Sequence, residues 1–413
     1  MNFLISIGGI ILLLAIALSL SGNRKAIDLR TVIGAFAIQA SFAAFVLYLP
    51  FGQQLLSSVS SGVQWVIDSG QHGSDFLFAG LVSDKMYEIF GGGGFVFALR
   101  VLPLIVFFSS LIAVLYYLGV MQKLITVIGG GLQKVLNISR PEAMSATANI
   151  FVSLTEAPLV VKPYVSRMTQ SQLFAVMVGG TASVAGSVLV GYASLGIELK
   201  YLVAASFMAA PGGLLMAKII MPETDTPVES LDNIDIDAED KPVNVIDAAA
   251  SGAAVGVKLA INVAGMLLAF ISLIALMNAL VTLVASTLGF EGITIQLLLG
   301  YIFAPLAFMI GAPWSEAVQA GSFIGQKLVI NEFVAYIDFV TVKDTLSVHT
   351  QAIITFALCG FANLSAIAIL LGGLGSIAPT RRHDIARMGF KAVLAGSLSN
   401  LMSAALAGIF LAL

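Results

Sequence analysis

Asn149-Ile-Phe-Val-Ser-Leu-Thr-Glu-Ala-Pro158 is the stretch on which the reading of this chain turns. It sets a carboxylate, Glu156, two residues before a proline, with apolar and small residues on both sides. A carboxylate at hydrocarbon depth is costly, so it marks a site with a partner. Composition supplies the depth. The 413 residues are 58% hydrophobic and 10% charged, where soluble domains are about 25% charged. The expected fold is therefore an all-α polytopic membrane protein, because a helix satisfies its own backbone polar groups in lipid.

Composition also excludes several functions. A net charge of −3 lacks the basic face that nucleic acid requires. The lone Cys359 allows no internal disulfide, and His72, His349 and His383 are too scattered for a zinc site. No nucleophile–base pair points to an enzyme.

A helix needs about 20 apolar residues to cross a core about 30 Å thick. Eight stretches meet this: 3–21, 32–50, 95–117, 173–195, 200–220, 252–286, 352–373 and 390–412. The first lacks the basic flank of a cleavable signal and is kept as a span. The sixth is too long for one perpendicular crossing and is expected to tilt or to start at the interface around Asp247–Lys258. Basic residues cluster after the first span (Arg24, Lys25, Arg30), after the third (Lys123, Lys134, Arg140, Lys162, Arg167) and after the seventh (Arg381, Arg382, Arg387, Lys391). Placing these connections in the cytoplasm puts both termini outside an inner membrane.

Four units follow. Residues 1–94 hold the first two helices, a partly amphipathic surface segment and a glycine hinge at Gly91–Gly94; residues 95–220 hold the third to fifth helices and a first hairpin. Residues 221–246 form an acidic cytoplasmic linker, with Glu223 to Asp240 preceding the first basic residue, Lys241; residues 247–413 hold the remainder. Arg100, just inside the third span, is expected to be structural.

Residues 121–170 and 290–350 are apolar, yet the topology requires an even number of crossings in each. Each reads as a re-entrant hairpin, which membranes tolerate where it lines protein or a cavity. The two resemble each other. Ser139-Arg-Pro-Glu142-Ala precedes the first tip and Pro313-Trp-Ser-Glu316-Ala the second. Thr155-Glu156 answers Asn331-Glu332, and Gly179-Gly-Thr-Ala-Ser183-Val-Ala-Gly186 answers Cys359-Gly-Phe-Ala-Asn363-Leu-Ser-Ala366. One hairpin starts inside and the other outside, so the repeat is inverted. Such repeats place ligand sites at mid-membrane between their halves. Glu156, Glu332, Ser183 and Asn363 are expected to converge there.

Hairpin tips expose helix ends, with free N–H groups at one and free carbonyls at the other. Carbonyl oxygens suit a hard cation such as sodium. Backbone oxygens of Asn149, Val152, Ser183 and Val184, with the Ser183 hydroxyl, form a candidate sodium set. The two carboxylates suit ligand hydroxyls, Asn363 a polar edge and Phe361 a ring face. Together they suit a sugar joined to a heterocycle.

These residues resemble the concentrative nucleoside transporter family, closely its bacterial members, over essentially the whole chain. The resemblance is carried by Gly91–Pro103, Asn149–Pro158, Ala209-Ala-Pro-Gly-Gly213, Asn331-Glu-Phe-Val-Ala-Tyr336 and Cys359-Gly-Phe-Ala-Asn363. It implies eight spans and two hairpins per protomer, a homotrimer in the bilayer, and sodium- or proton-driven nucleoside uptake by an elevator-like movement. It implies that Glu332 and Asn363 bind ribose, that Thr155 and Glu156 serve the base side, that Val188 and Phe361 line the base, and that Asn149, Val152, Ser183 and the Val184 backbone hold sodium. Three positions depart from the family. Ser153 and Leu154 stand where Gly-Gln is usual, and Ala366 where bacterial relatives often have serine. Loss of the amide at Leu154 costs about 1–3 kcal/mol where it leaves a buried group unpaired. It predicts weaker binding or an altered base preference, and keeps open the alternative of another small polar solute.

Overall fold

The computed structural model describes residues 2–83, 85–90, 95–228 and 242–413. The hinge expected at Gly91–Gly94 and most of the acidic linker lie outside the described residues. Every regular element described is helical. The order is α1 (Asn2–Ser19), α2 (Leu29–Leu47), α3 (Pro50–Phe78), the short α4 (Lys85–Phe90) and α5 (Phe97–Arg100), α6 (Leu102–Tyr117) and α7 (Val120–Leu136). Then come α8 (Arg140–Ala148), the short α9 (Lys162–Val165), α10 (Gln170–Ala182), α11 (Gly186–Ser194), α12 (Leu199–Ile220) and α13 (Val245–Thr287). The chain finishes with α14 (Ile295–Met309), α15 (Trp314–Val329), α16 (Glu332–Val342), α17 (Val348–Leu358), α18 (Ala366–Ile377) and α19 (Arg382–Leu411).

Helix covers all eight stretches of span length, with two of them broken. Among the described residues, six continuous or nearly continuous helices are long and apolar enough to cross a membrane: Leu29–Leu47, Phe97–Tyr117, Gln170–Ser194, Leu199–Ile220, Val245–Thr287 and Pro379–Leu411. The chain is a multi-pass membrane protein. These helices divide sharply by burial. The apolar windows of Gln170–Ser194 and Leu199–Ile220 are 94% buried and that of Pro379–Leu411 is 83% buried, whereas Val245–Thr287 is 11% and Phe97–Tyr117 is 22% buried. An inner body therefore forms around α10, α12 and α19, with α17 packed on α19. An outer pair, α6 and α13, packs together through small residues. A Cβ on Gly252 would stand 2.5 Å from the Ala113 Cβ, and one on Gly256 2.7 Å from the Val106 Cα. Backbones this close need glycine.

Three details sharpen the expectation. The sixth stretch is one unbroken helix of 43 residues, α13, opened by Asn244, whose side chain accepts the Asp247 N–H. The surface segment is the 29-residue α3, with Gly52, Leu56, Ser60, Ile67, Gly70 and Ser74 on its buried face. Each expected hairpin also has a helix in front of it. Amphipathic α7 precedes α8, and α14 precedes α15 with a 116° bend between them. Apolar content alone does not separate that extra helix from a hairpin arm.

The hairpin arms themselves follow the motif spacing. Ser139 and Glu142 form a capping box at the start of α8. Glu142 is also paired with Lys218 of α12 at 2.5 Å, both side chains buried. Ser171, at the start of α10, accepts from Lys218, and Gln172 donates to Ser139. In the second half Glu316 accepts from the N–H and hydroxyl of Ser347, which caps α17. Each base glutamate thus ties its hairpin to the start of the next broken helix. The registers agree too, since α11 begins at Gly186 and α18 at Ala366, the two positions matched in the repeat. Arg100 donates to the Ser83 carbonyl at 3.0 Å.

Candidate functional site

The site forms where two interrupted helices meet two tips. The α10/α11 helix is broken at Ser183–Ala185, and α17/α18 between Cys359 and Ser365. The breaks pair with each other: the Phe361 N–H donates to the Ser183 carbonyl at 3.1 Å. Each also touches a tip. The Gly186 N–H donates to the Phe151 carbonyl at 3.0 Å, and the Leu364 N–H to the Leu328 carbonyl at 3.1 Å. These bonds occupy part of the backbone that interruption frees.

Glu332 is the centre of this arrangement. It opens α16 behind Asn331, whose side-chain oxygen accepts the Val334 N–H. A carboxylate in the first turn is favoured by the helix dipole. Tyr192 of α11 donates to one carboxylate oxygen at 3.0 Å, and Asn363 of the second break donates to the other at 2.9 Å. Asn363 is itself oriented, because its oxygen accepts the Ser365 hydroxyl at 2.6 Å and the Ala366 N–H at 2.9 Å. Tyr192 is held by rings, at 4.8 Å from Phe333 and 4.5 Å from Tyr336. Glu332, Asn363, Val188 and Ala366 are each at most 3% exposed. With one donor on each oxygen, the Glu332 carboxylate keeps acceptor capacity for ligand hydroxyls.

The first tip is placed differently. Glu156 is half-buried and accepts the Ser153 N–H at 3.1 Å, inside its own tip. The Ser153 and Thr155 hydroxyls share a hydrogen bond at 3.0 Å. Ile112 and Tyr116 of α6 pack on the cluster that holds Val152 and Ala157, so this tip faces the outer pair. Thr155 also packs on α18, where a Cβ on Gly373 would come within 2.7 Å of its methyl. Leu154 is buried in the core instead, against Gly180 of α10. A Cβ on Gly180 would lie 2.8 Å from the Leu154 Cβ and 3.2 Å from its Cα. Gly180→Ala is therefore expected to destabilise the protein by about 1–3 kcal/mol through overpacking. A melting curve in detergent checks this, and an unshifted midpoint contradicts it.

The candidate sodium residues are all buried: Asn149, Val152, Ser183 and Val184 are at most 2% exposed. The Asn149 amide nitrogen donates to the Ser145 carbonyl, which leaves its oxygen buried without a hydrogen-bond partner. The Ser183 hydroxyl donates to the Gly179 carbonyl at 2.8 Å, so its lone pairs are unspent. A Cβ on Gly179 would lie 3.0 Å from the Asn149 amide nitrogen, so the end of α8 and the end of α10 are neighbours. An orphaned amide oxygen beside an acceptor-rich break fits a hard cation.

Three functional candidates carried a signal that motif spacing does not use. Lys327 is an ionisable residue in an expected membrane-embedded segment, four residues before Asn331. Asn400 lies among small and apolar residues of the last helix, and Tyr192 follows Val188 by one turn. Only packing shows that Asn400 donates to both breaks, at the Ala182 carbonyl (2.6 Å) and the Cys359 carbonyl (2.9 Å).

Known proteins share this arrangement. Family models described as "Na+ dependent nucleoside transporter C-terminus", "Na+ dependent nucleoside transporter N-terminus" and "Nucleoside recognition" match residues 201–408, 8–81 and 98–198. The chain is 51% identical to the nucleoside permease NupC of Helicobacter pylori, over 99% of this chain and 98% of that one. The structure of CNTnw in an inward-facing substrate-bound state is 60% identical, with a TM-score of 0.96, covering 99% of this chain and 98% of that one. CNTnw N149S, E332A in an outward-facing state is 59% identical, with a TM-score of 0.98, covering 100% and 99%. With full-length relatives above half identity and family models along most of its length, the chain belongs to the concentrative nucleoside transporter family, whose members are membrane transporters and not enzymes.

Proposed function

We propose that the protein imports nucleosides by cation symport, with sodium as the coupling ion. The observation that carries this is the buried Glu332 carboxylate, held between Tyr192 and Asn363 with acceptor capacity to spare. Ribose presents neighbouring hydroxyls, and a buried carboxylate accepting them makes charge-assisted hydrogen bonds. Val188 and Phe361 serve as apolar walls for the base; Ala366 offers the ribose a methyl instead of a hydroxyl. Ser153, Thr155 and Glu156 act from the base side.

Asn149, Val152, Ser183 and Val184 would hold the sodium ion, supplying carbonyl, amide and hydroxyl oxygens in place of its water shell. Occupation draws the ends of α8 and α10 together, which fixes the first tip beside the substrate. Ordering by the ion then lowers the cost of binding the nucleoside, and linkage makes the coupling reciprocal.

The reading extends to eight spans, two re-entrant hairpins in an inverted repeat, and a homotrimer in an inner membrane with both termini outside. The contrast between the buried α10–α12–α19 body and the exposed α13 supports a transport domain moving against an outer scaffold like an elevator. The inward-facing and outward-facing structures of CNTnw support two end states. In this division residues 1–94 are chiefly scaffold, and 95–220 and 247–413 each hold one hairpin unit, with 221–246 between them.

A second reading, transport of another small polar solute, is favoured by Leu154, which fills core space where the family usually places an amide. Uptake of labelled uridine, competed by unlabelled uridine and adenosine with and without sodium, separates the two. No competition by either nucleoside ends the nucleoside reading. Asn149→Ala is expected to raise the sodium concentration for half-maximal uptake about tenfold, equivalent to about 1.4 kcal/mol. Ser183→Ala shifts it in the same direction. Uptake that follows the proton gradient and ignores sodium overturns the ion assignment.

A further inference from the structure

The two hairpins treat one position in opposite ways. Four residues before Asn149 stands Ser145, and four before Asn331 stands Lys327. Both are buried, at 1% and 3% exposure. In the first half the Ser145 hydroxyl and the Asn149 amide oxygen both lack a hydrogen-bond partner. They are oxygens waiting for a positive group. In the second half the positive group is built in. The Lys327 ammonium donates to the Ala357 carbonyl at 2.9 Å and to the Asn400 amide oxygen at 2.5 Å. The oxygen of Asn331, for its part, is already used by the Val334 N–H.

Ala357 lies in the last turn of α17, where unpaired carbonyls carry the negative end of the helix dipole. Asn400 passes the contact on, donating to Cys359 at the end of α17 and to Ala182 at the end of α10. One ammonium and one amide thus cover the carbonyl ends of both interrupted helices. Glu332, also buried, stands five residues further along at the start of α16. The cation therefore also offsets the buried carboxylate that the substrate is proposed to use.

We propose that Lys327 is the tethered cation of the second repeat: its ammonium does at the end of α17 what a sodium ion does at the end of α10. The second hairpin then stays organised when the inorganic ion leaves, and only the first responds to the sodium gradient. The comparison with sodium rests on the ion reading given above; the role of the ammonium rests on its own contacts.

The test is uridine binding to the purified full-length protein in detergent at fixed sodium. Lys327→Ala opens an ammonium-sized space and is expected to weaken binding at least tenfold. Methylammonium chloride should restore it to within about threefold of the unmodified protein. Lys327→Met fills the space without charge, so it should be as weak and show no restoration. If the alanine variant binds as tightly as the unmodified protein, or if methylammonium does nothing for a folded alanine variant, the proposal is overturned. Should the alanine variant purify poorly, its melting temperature decides. Methylammonium must raise it and leave that of Lys327→Met unchanged, and equal shifts count against the tethered cation. Repeating the binding with choline in place of sodium separates the two readings. Sodium-independent binding by the unmodified protein removes the ion assignment alone, because the methylammonium comparison is made within one salt.

Discussion

Nucleoside uptake by Glu332→Ala is expected to fall at least a hundredfold, with helix content and oligomeric state unchanged. The carboxylate sits at the start of α16 and accepts from Tyr192 and Asn363, two side chains on elements distant in sequence. Its replacement removes the acceptor for ligand hydroxyls and at the same time releases Asn363. Hydrogen bonds to charged groups contribute about 1.5–3 kcal/mol each. Two such bonds amount to a loss of about two to four powers of ten. The fold should tolerate the change, because Asn331 still caps α16 and the ring packing of Tyr192 on Phe333 and Tyr336 remains. Glu332→Gln keeps the shape and one acceptor oxygen, so it should retain more binding than alanine. Labelled uridine uptake in vesicles, with size-exclusion chromatography of the same preparations, is the measurement. Uptake above a tenth of that of the unmodified protein removes Glu332 from the site.

Asn400→Ala should be the most destabilising single change among the polar core residues, by about 3 kcal/mol. The amide donates to the Ala182 and Cys359 carbonyls and accepts from Lys327, all in buried positions. Hydrogen bonds between membrane helices are modest on average, near 0.6 kcal/mol, so the two carbonyl contacts alone predict a small effect. The third contact decides the magnitude. Its loss leaves a buried ammonium with one partner fewer, and stripping a partner from a buried charge is strongly destabilising. Asn400→Asp tests this division, because it keeps an acceptor for Lys327 and loses both amide donors. The aspartate variant should melt closer to the unmodified protein than the alanine variant does. An alanine variant that melts within a degree of the unmodified protein contradicts the clamp.

Gly360 makes the same point by geometry. A Cβ there would run into the Asn400 amide and the Ala182 carbonyl. The break between α17 and α18 is therefore close-packed, and its glycine is set by the neighbouring helices rather than by the turn. In the amino-acid sequence Gly360 appears only as part of a motif.

The order of helices and the matched glutamates were legible in the chain because each leaves a local mark. Hydrocarbon depth demands long apolar runs, and a charge inside one is conspicuous. The registers of Gly186 and Ala366 at the starts of α11 and α18 follow from the same repeat. Other features were not legible. Amphipathic α7 and α14 resemble hairpin arms in composition and differ only in what they pack against. Leu154 stands inside a binding motif, and its packing against Gly180 shows only in the fold. Glu156 and Glu332 look equivalent in the repeat, yet one bonds within its own tip and the other ties three elements together.

For this protein the sequence by itself determined that the chain spans a membrane as helices, roughly where those helices lie, and which carboxylates interrupt the apolar runs. All of these follow from short-range hydrophobicity and from the cost of exposing backbone or charge to lipid. The tertiary structure alone decided the partners: Tyr192 and Asn363 for Glu332, and Asn400 with two helix ends for Lys327. Those pairings join residues tens to hundreds of positions apart. They are settled by how α10, α11, α17 and α19 pack, which no local pattern of residues encodes.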